Sequence, residues 1–128
     1  MLLGVGMDLV DVARAQALLD RHGARILARL LCPKEREYVE SMPLPARHFA
    51  ARLAAKEAAY KALQLVPEAR AIAWRDLEVA REASGAPRLV LHGQATVVAG
   101  LVGPVRLHLS LTHSDLSAAA VVIIITPG

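Results

Sequence analysis

The clearest pattern lies near the C-terminal end of the chain. In "VRLHLSLTH", Val105, Leu107, Leu109 and Leu111 alternate with Arg106, His108, Ser110 and Thr112. That is the period of a strand with one face buried. An unbroken apolar run follows, from about Ala118 to Thr126, and reads as a buried strand. Leu2 to Met7 read as a short buried strand that ends at Asp8. Leu77 and Val79, set against Asp76 and Glu78, suggest a strand over Trp74 to Arg81. The turn "EASGAP" joins it to a second strand in "RLVLH", making a hairpin.

Helical signals fill most of the rest. Val12 to Arg21 read as a helix with Asp11 as N-cap. "GARILARLLCP" reads as a short helix that Pro33 stops, and Lys34 to Glu40 as one or two further turns. Two prolines in "SMPLPAR" break the chain. A longer helix is expected from about Ala46 to Leu65, ending before Pro67. Gln94 to Leu101 fit one more short helix. The expected class is α+β: helices packed on an antiparallel or mixed sheet.

The long helix carries the candidate chemistry. At about 100° per residue, Phe49, Leu53, Tyr60 and Leu63 share one side, and Lys56 falls inside that stripe. Glu57 and Lys61 lie on its edge as an i,i+4 pair in the favourable order. Ala51, Ala55, Ala58 and Ala62 form the opposite side, which permits close approach by another element. A solvated Glu57–Lys61 pair with a snorkelling Lys56 is the ordinary reading of such charges. So many alanines leave little free surface for it. Asp8 and Glu57 together offer two hard oxygen ligands to Mg²⁺, an ion that takes one or two carboxylates plus phosphate oxygens and water. Lys56, Lys61 and Arg52 would bring positive charge to the same phosphates.

Composition narrows the classes. The chain has 128 residues, which suggests one domain. It is 55% hydrophobic and only 3% aromatic, so its core is aliphatic. Fifteen basic residues against twelve acidic ones give a formal charge of +3. That excess suits an acidic partner or a phosphorylated ligand as well as an ordinary basic surface. Bases interspersed with acids, and so few rings for stacking, argue against nucleic acid. Cys32 is the only cysteine, so no intramolecular disulfide can form, which fits a reducing compartment. The start has no basic n-region, and no apolar run is long enough to span a membrane. A soluble, cytoplasmic protein is expected.

"GVGMDLVDVAR", "FAARLAAKEAAYKAL", "WRDLEV", "GAP" and "LSLTHSDLSAAAVV" occur in this order over nearly the whole chain. Together they resemble the holo-acyl-carrier-protein synthases, the short bacterial type of 4′-phosphopantetheinyl transferase. The resemblance implies transfer of the phosphopantetheine arm of coenzyme A to a serine of apo acyl carrier protein, in support of fatty acid biosynthesis. Adenosine 3′,5′-bisphosphate would be released. It further implies Mg²⁺ held by Asp8 and Glu57, and a homotrimer with active sites between subunits. Lys61 would stabilise the leaving phosphate. Glu57, or a metal-bound water that it orients, would take the serine proton. Coenzyme A contacts are implied at Arg52, Gly85, Pro87, Ser110 and His113. Lys56 reads equally as a phosphate contact or a buried structural cation. Arg47 and His48 join Arg52 as candidates for the 3′-phosphate. Arg14, Arg21 and Arg25 would form a docking face for the acidic carrier.

Two departures stand out: "LQLVPEAR" replaces the family's glycine-rich turn, and Thr112 stands where serine is common. The alternatives are a metal-dependent phosphohydrolase using Asp8 and Glu57, and a non-catalytic basic binding module. The lack of any further carboxylate or histidine cluster in the sequence argues against the hydrolase.

Overall fold

The computed structural model describes residues 1–127. Strand β1 (Leu2–Asp11) leads directly into helices α1 (Val12–His22), α2 (Ala24–Leu30), α3 (Pro33–Ser41) and α4 (Pro45–Ala62). Short 3₁₀ turns at Pro67–Ala71 and Trp74–Asp76 precede the hairpin β2 (Leu77–Arg81) and β3 (Pro87–Leu91). Helix α5 (Gly93–Val102) and strands β4 (Arg106–His113) and β5 (Ser117–Ile125) complete the chain. Strands β1, β5 and β4 form an antiparallel sheet in that order, with β5 in the middle. The architecture is α+β, as the hydrophobic pattern suggests.

The alanine-rich helix is the centre of the molecule. Most of α4 is buried, from Ala46 and Phe49 through to Ala62. Its small face meets β1, where Gly4 and Gly6 turn towards it. A methyl group built on Gly6 would overlap the Ala58 carbonyl oxygen, and one on Gly4 would meet that of Ala62. Alanine on the helix and glycine on the strand therefore serve one purpose: the two backbones touch.

The register assigns each sheet residue a side. Asp8 pairs with Ala120, Leu111 with Ala120 and His113 with Ala118, and these residues face α4. Val5, Met7 and Leu9 pair with Ile123, Val121 and Ala119 on the other face. That face has no helix over it: Val5, Met7 and Leu9 are 55%, 65% and 63% exposed.

Three local expectations need correction. The first strand does not end at Asp8. It continues to Asp11, because β5 is long enough to pair with all of it and Val10 is buried. Asp11 occupies the N-cap position of α1 without a side-chain cap bond. Pro33 opens α3, where a proline at the first helical position costs no hydrogen bond. Trp74–Asp76 is a 3₁₀ turn, since the Asp76 carboxylate accepts from the Ala73 amide at 2.9 Å and closes it.

Candidate active site

Residue Asp8 lies on the inner face of an edge strand, and the touching backbones bring it up to α4. One turn apart on that helix are Glu57 and Lys61. The Lys61 ammonium donates to Asp8 Oδ1 at 3.1 Å and to the Met7 carbonyl at 3.2 Å. Arg14, from the first turn of α1, stands 3.7 Å from Glu57 Oε1. Sequence reasoning grouped Asp8, Glu57 and Lys61, and the fold brings them together.

The two carboxyl groups are near enough for each to perturb the other's titration. Burial, then the Asp8 hydrogen bond and charge, push the Glu57 carboxyl up to about 7; Arg14 and Lys61 offset this in part. At Asp8 burial works against the charge. The Glu57 hydrogen bond and Lys61 outweigh it and hold Asp8 below the ordinary carboxylate range. Of the two, Glu57 is the one that keeps its proton towards neutral pH. Asp8 Oδ2 is buried without a hydrogen-bond partner. Two hard oxygen donors brought together, one with a buried oxygen that lacks a partner, fit a divalent cation such as Mg²⁺.

A second cluster lies around the α3–α4–hairpin junction. A cavity of about 210 Å³ is lined by Tyr38, His48, Arg52, Arg81, Gly85, Pro87, Leu111 and His113, among others. The Arg52 and Arg81 guanidiniums each stack 4.5 Å from the centre of the Tyr38 ring. The Arg81 Nη1 also donates to the Tyr38 hydroxyl at 2.6 Å. Arg52 is buried and its Nε has no hydrogen-bond partner among the described residues. Burial, then the charges of Arg52 and His113, lower the pKa of His48, which favours its neutral imidazole. Gly85 adopts φ +90°, a conformation the "SGAP" turn needs and side chains resist.

Of the expected coenzyme A contacts, Arg52, Gly85, Pro87 and His113 meet in this cavity. Two do not. Ser110 pairs with Val121 on the open sheet face, opposite to Leu111 and His113, because its strand position is odd by one. Lys56 is 0% exposed, and its ammonium donates to Glu35 Oε1 at 2.8 Å, the Trp74 carbonyl at 3.0 Å and the Leu77 carbonyl at 2.5 Å. With all three donors used internally, Lys56 is the structural cation of the two readings, not a phosphate contact. Glu35 completes that clamp by accepting from the Cys32 and Val79 amides, both at 3.0 Å. Arg47 is engaged with Asp115 at 2.7 Å. Arg14, Arg21 and Arg25 are all exposed on α1 and α2. Tyr38 and Arg81 escaped sequence reasoning. Neither stands in a recognisable spacing, and only the fold joins them. Two grooves of about 610 Å³ each lie by α3 and hold neither Asp8 nor Glu57.

Known proteins resemble this chain in sequence and fold. The family model described as 4′-phosphopantetheinyl transferase superfamily matches residues 4–120. The chain is 43% identical over 124 residues to the holo-[acyl-carrier-protein] synthase of Koribacter versatilis, covering 97% of this chain and 98% of that one. Among solved structures it is similar to the Neisseria meningitidis holo-[acyl-carrier-protein] synthase, with a TM-score of 0.86, 25% identity, and coverage of 98% and 100%. It is also similar to the Helicobacter pylori enzyme in complex with coenzyme A, with a TM-score of 0.78, 26% identity, and coverage of 94% and 99%.

Proposed function

Because the chain belongs to the 4′-phosphopantetheinyl transferase superfamily, we propose that it moves the 4′-phosphopantetheine arm of coenzyme A onto a serine of apo acyl carrier protein. The observation that carries this reading is the meeting of β1 and α4 that sets Asp8 beside Glu57 and Lys61, with Lys61 bonded to Asp8. The serine oxygen forms a bond to the phosphorus that bears the pantetheine arm. The bond from that phosphorus to the bridging oxygen breaks, and adenosine 3′,5′-bisphosphate leaves. The serine proton would pass to Glu57 in its ionised form, or to a water that Glu57 orients. Lys61 lies beside the same carboxylates and neutralises charge on the departing phosphate. Asp8 and Glu57 would hold Mg²⁺, which supplies charge neutralisation across the pyrophosphate. The cavity of Arg52, His48 and His113 would take the anionic nucleotide end. Exposed Arg14, Arg21 and Arg25 would meet the acidic carrier, with Arg14 nearest the chemistry.

Assembly belongs to this reading. Arg52 and Glu57 are five residues apart on α4, roughly 140° around its axis. The nucleotide cavity and the carboxylate pair therefore open on different flanks of one helix. A homotrimer that pairs one subunit's cavity with another's carboxylates would complete each site, and the uncovered face of Val5, Met7 and Leu9 offers apolar surface for it. A cytoplasmic location fits the free Cys32. No helix among the described residues is long and apolar enough to cross a membrane.

Intact-mass measurement tests the proposal. Protein, coenzyme A, Mg²⁺ and apo carrier should yield carrier heavier by one phosphopantetheine, and folded Asp8→Ala should yield none. Unmodified carrier with the unaltered protein would overturn it.

A further inference from the structure

Away from the carboxylate pair, Cys32, Glu78 and His92 meet on one side of the β2–β3 hairpin. The thiol, one carboxylate oxygen and one ring nitrogen lie within 4.8 Å of one another. The three come from separate segments. Cys32 caps the start of α3, Glu78 sits in β2, and His92 precedes α5. The hairpin register, Leu77 opposite Leu91, carries Glu78 to His92, and the carboxylate contacts the ring at 2.7 Å. Cys32 is held there by a different device. Glu35 accepts from the Cys32 amide with one oxygen and from the Val79 amide with the other. The buried clamp thus fixes the third donor against the strand that bears the second.

We propose that Cys32, Glu78 and His92 form a binding site for a divalent transition-metal ion of the zinc class. Thiolate, imidazole and carboxylate are the donors such ions take, at about 2.3, 2.0 and 2.1 Å respectively. Mg²⁺ prefers oxygen alone, so this set and Asp8–Glu57 select different ions by donor hardness. The adjustment needed is small. Tetrahedral bonds of those lengths leave donors roughly 3.3–3.7 Å apart. The Glu78–His92 contact must open slightly and the thiol must close by about 1 Å; His92, exposed at the mouth, is free to turn. The thiol at present donates to the Arg75 carbonyl at 3.1 Å. On binding, that proton leaves to solvent, and thiolate plus carboxylate balance the ion's two charges. The fourth position faces an open groove of about 610 Å³ that Pro33, Lys34 and Arg75 also line, which leaves room for water. Such an ion would tie α3, the hairpin and α5 together without touching the transfer chemistry.

Cobalt reports on the site, because a cobalt–thiolate bond has a charge-transfer band in the near ultraviolet and Cys32 is the only thiol in the sequence. Titration of the reduced full chain with Co²⁺ should produce that band at one equivalent, and Zn²⁺ should abolish it. Cys32→Ser should remove the band and Asp8→Ala should preserve it. His92→Ala should weaken binding by at least about 10–100-fold, the loss that follows when even a ligand's hydrogen-bond partner is removed. Cys32→Ser and His92→Ala should leave transfer activity intact in Mg²⁺. If Cys32→Ser does not fold, exposed His92 still decides. No band in excess Co²⁺, or a band indifferent to His92→Ala, would overturn the site.

Discussion

Replacing Lys56 by methionine distinguishes a structural cation from a ligand contact more sharply than any other change. The substitution keeps most of the side chain's apolar length and removes the ammonium group with its charge. It would leave the Trp74 and Leu77 carbonyls without their donor and Glu35 buried without its counter-charge. Breaking a buried pair from one side costs about 3–5 kcal/mol. Unfolding entropy for a chain of this length is about 270 cal/mol/K near 60 °C. The melting temperature should therefore fall by about 11–19 °C. Glu35→Gln together with Lys56→Met should cost less than the two changes added, since neither then strands a charge. Thermal unfolding by circular dichroism measures both. For the folded fraction below the transition, the KM for coenzyme A should be unchanged. A Lys56→Met protein that melts within about 3 °C of the parent but needs far more coenzyme A would refute the structural assignment.

Gly6→Ala should lower the melting temperature, with overpacking costs of about 1–3 kcal/mol or more, and should depress transfer as β1 is forced away from α4. Gly100→Ala, on an exposed helical site with nothing within 4 Å, should be neutral or slightly stabilising, and equal behaviour of the two would contradict the packing argument. In chelator, Glu57 protonation should stabilise the fold fully below its ordinary pKa of 4.5, and that stability should fade as pH rises through about 7. Melting temperatures across that window should show a decline that Glu57→Gln flattens; identical profiles would contradict the raised Glu57 pKa. Met7→Glu should convert the assembly to monomers and abolish transfer. Light scattering that finds the parent monomeric yet active would contradict a site shared between subunits.

The strand and helix pattern was legible because apolar periodicity reports burial directly. Alternation in β4 and the small face of α4 needed no tertiary information. What failed was local and cooperative. Whether β1 stops at Asp8 depends on the length of β5, more than a hundred residues later. Whether Trp74 begins a strand depends on one Asp76 hydrogen bond. At the site, Asp8, Glu57 and Lys61 could be grouped because the charges interrupt apolar runs. Lys56 interrupts one too, and its partner Glu35 sits in a helix with no signal of burial. The sequence gives no hint of the Cys32–Glu78–His92 cluster either, because three single residues on three elements make no spacing.

The position of β5 also dictates when this protein can fold. Of this sheet's three strands the last to leave the ribosome is the central one, and β1, the first to leave, pairs only with it. Roughly a hundred residues separate the two, or on the order of 5–20 s of synthesis. Throughout that interval β1 and the alanine face of α4 have no sheet to join. Cotranslational folding can reach the helices but not the site, since Asp8 is aligned only by pairing with Ala120. A nascent chain stalled before Ser117 should therefore remain without the sheet, exposed to proteases and chaperones, however long it waits.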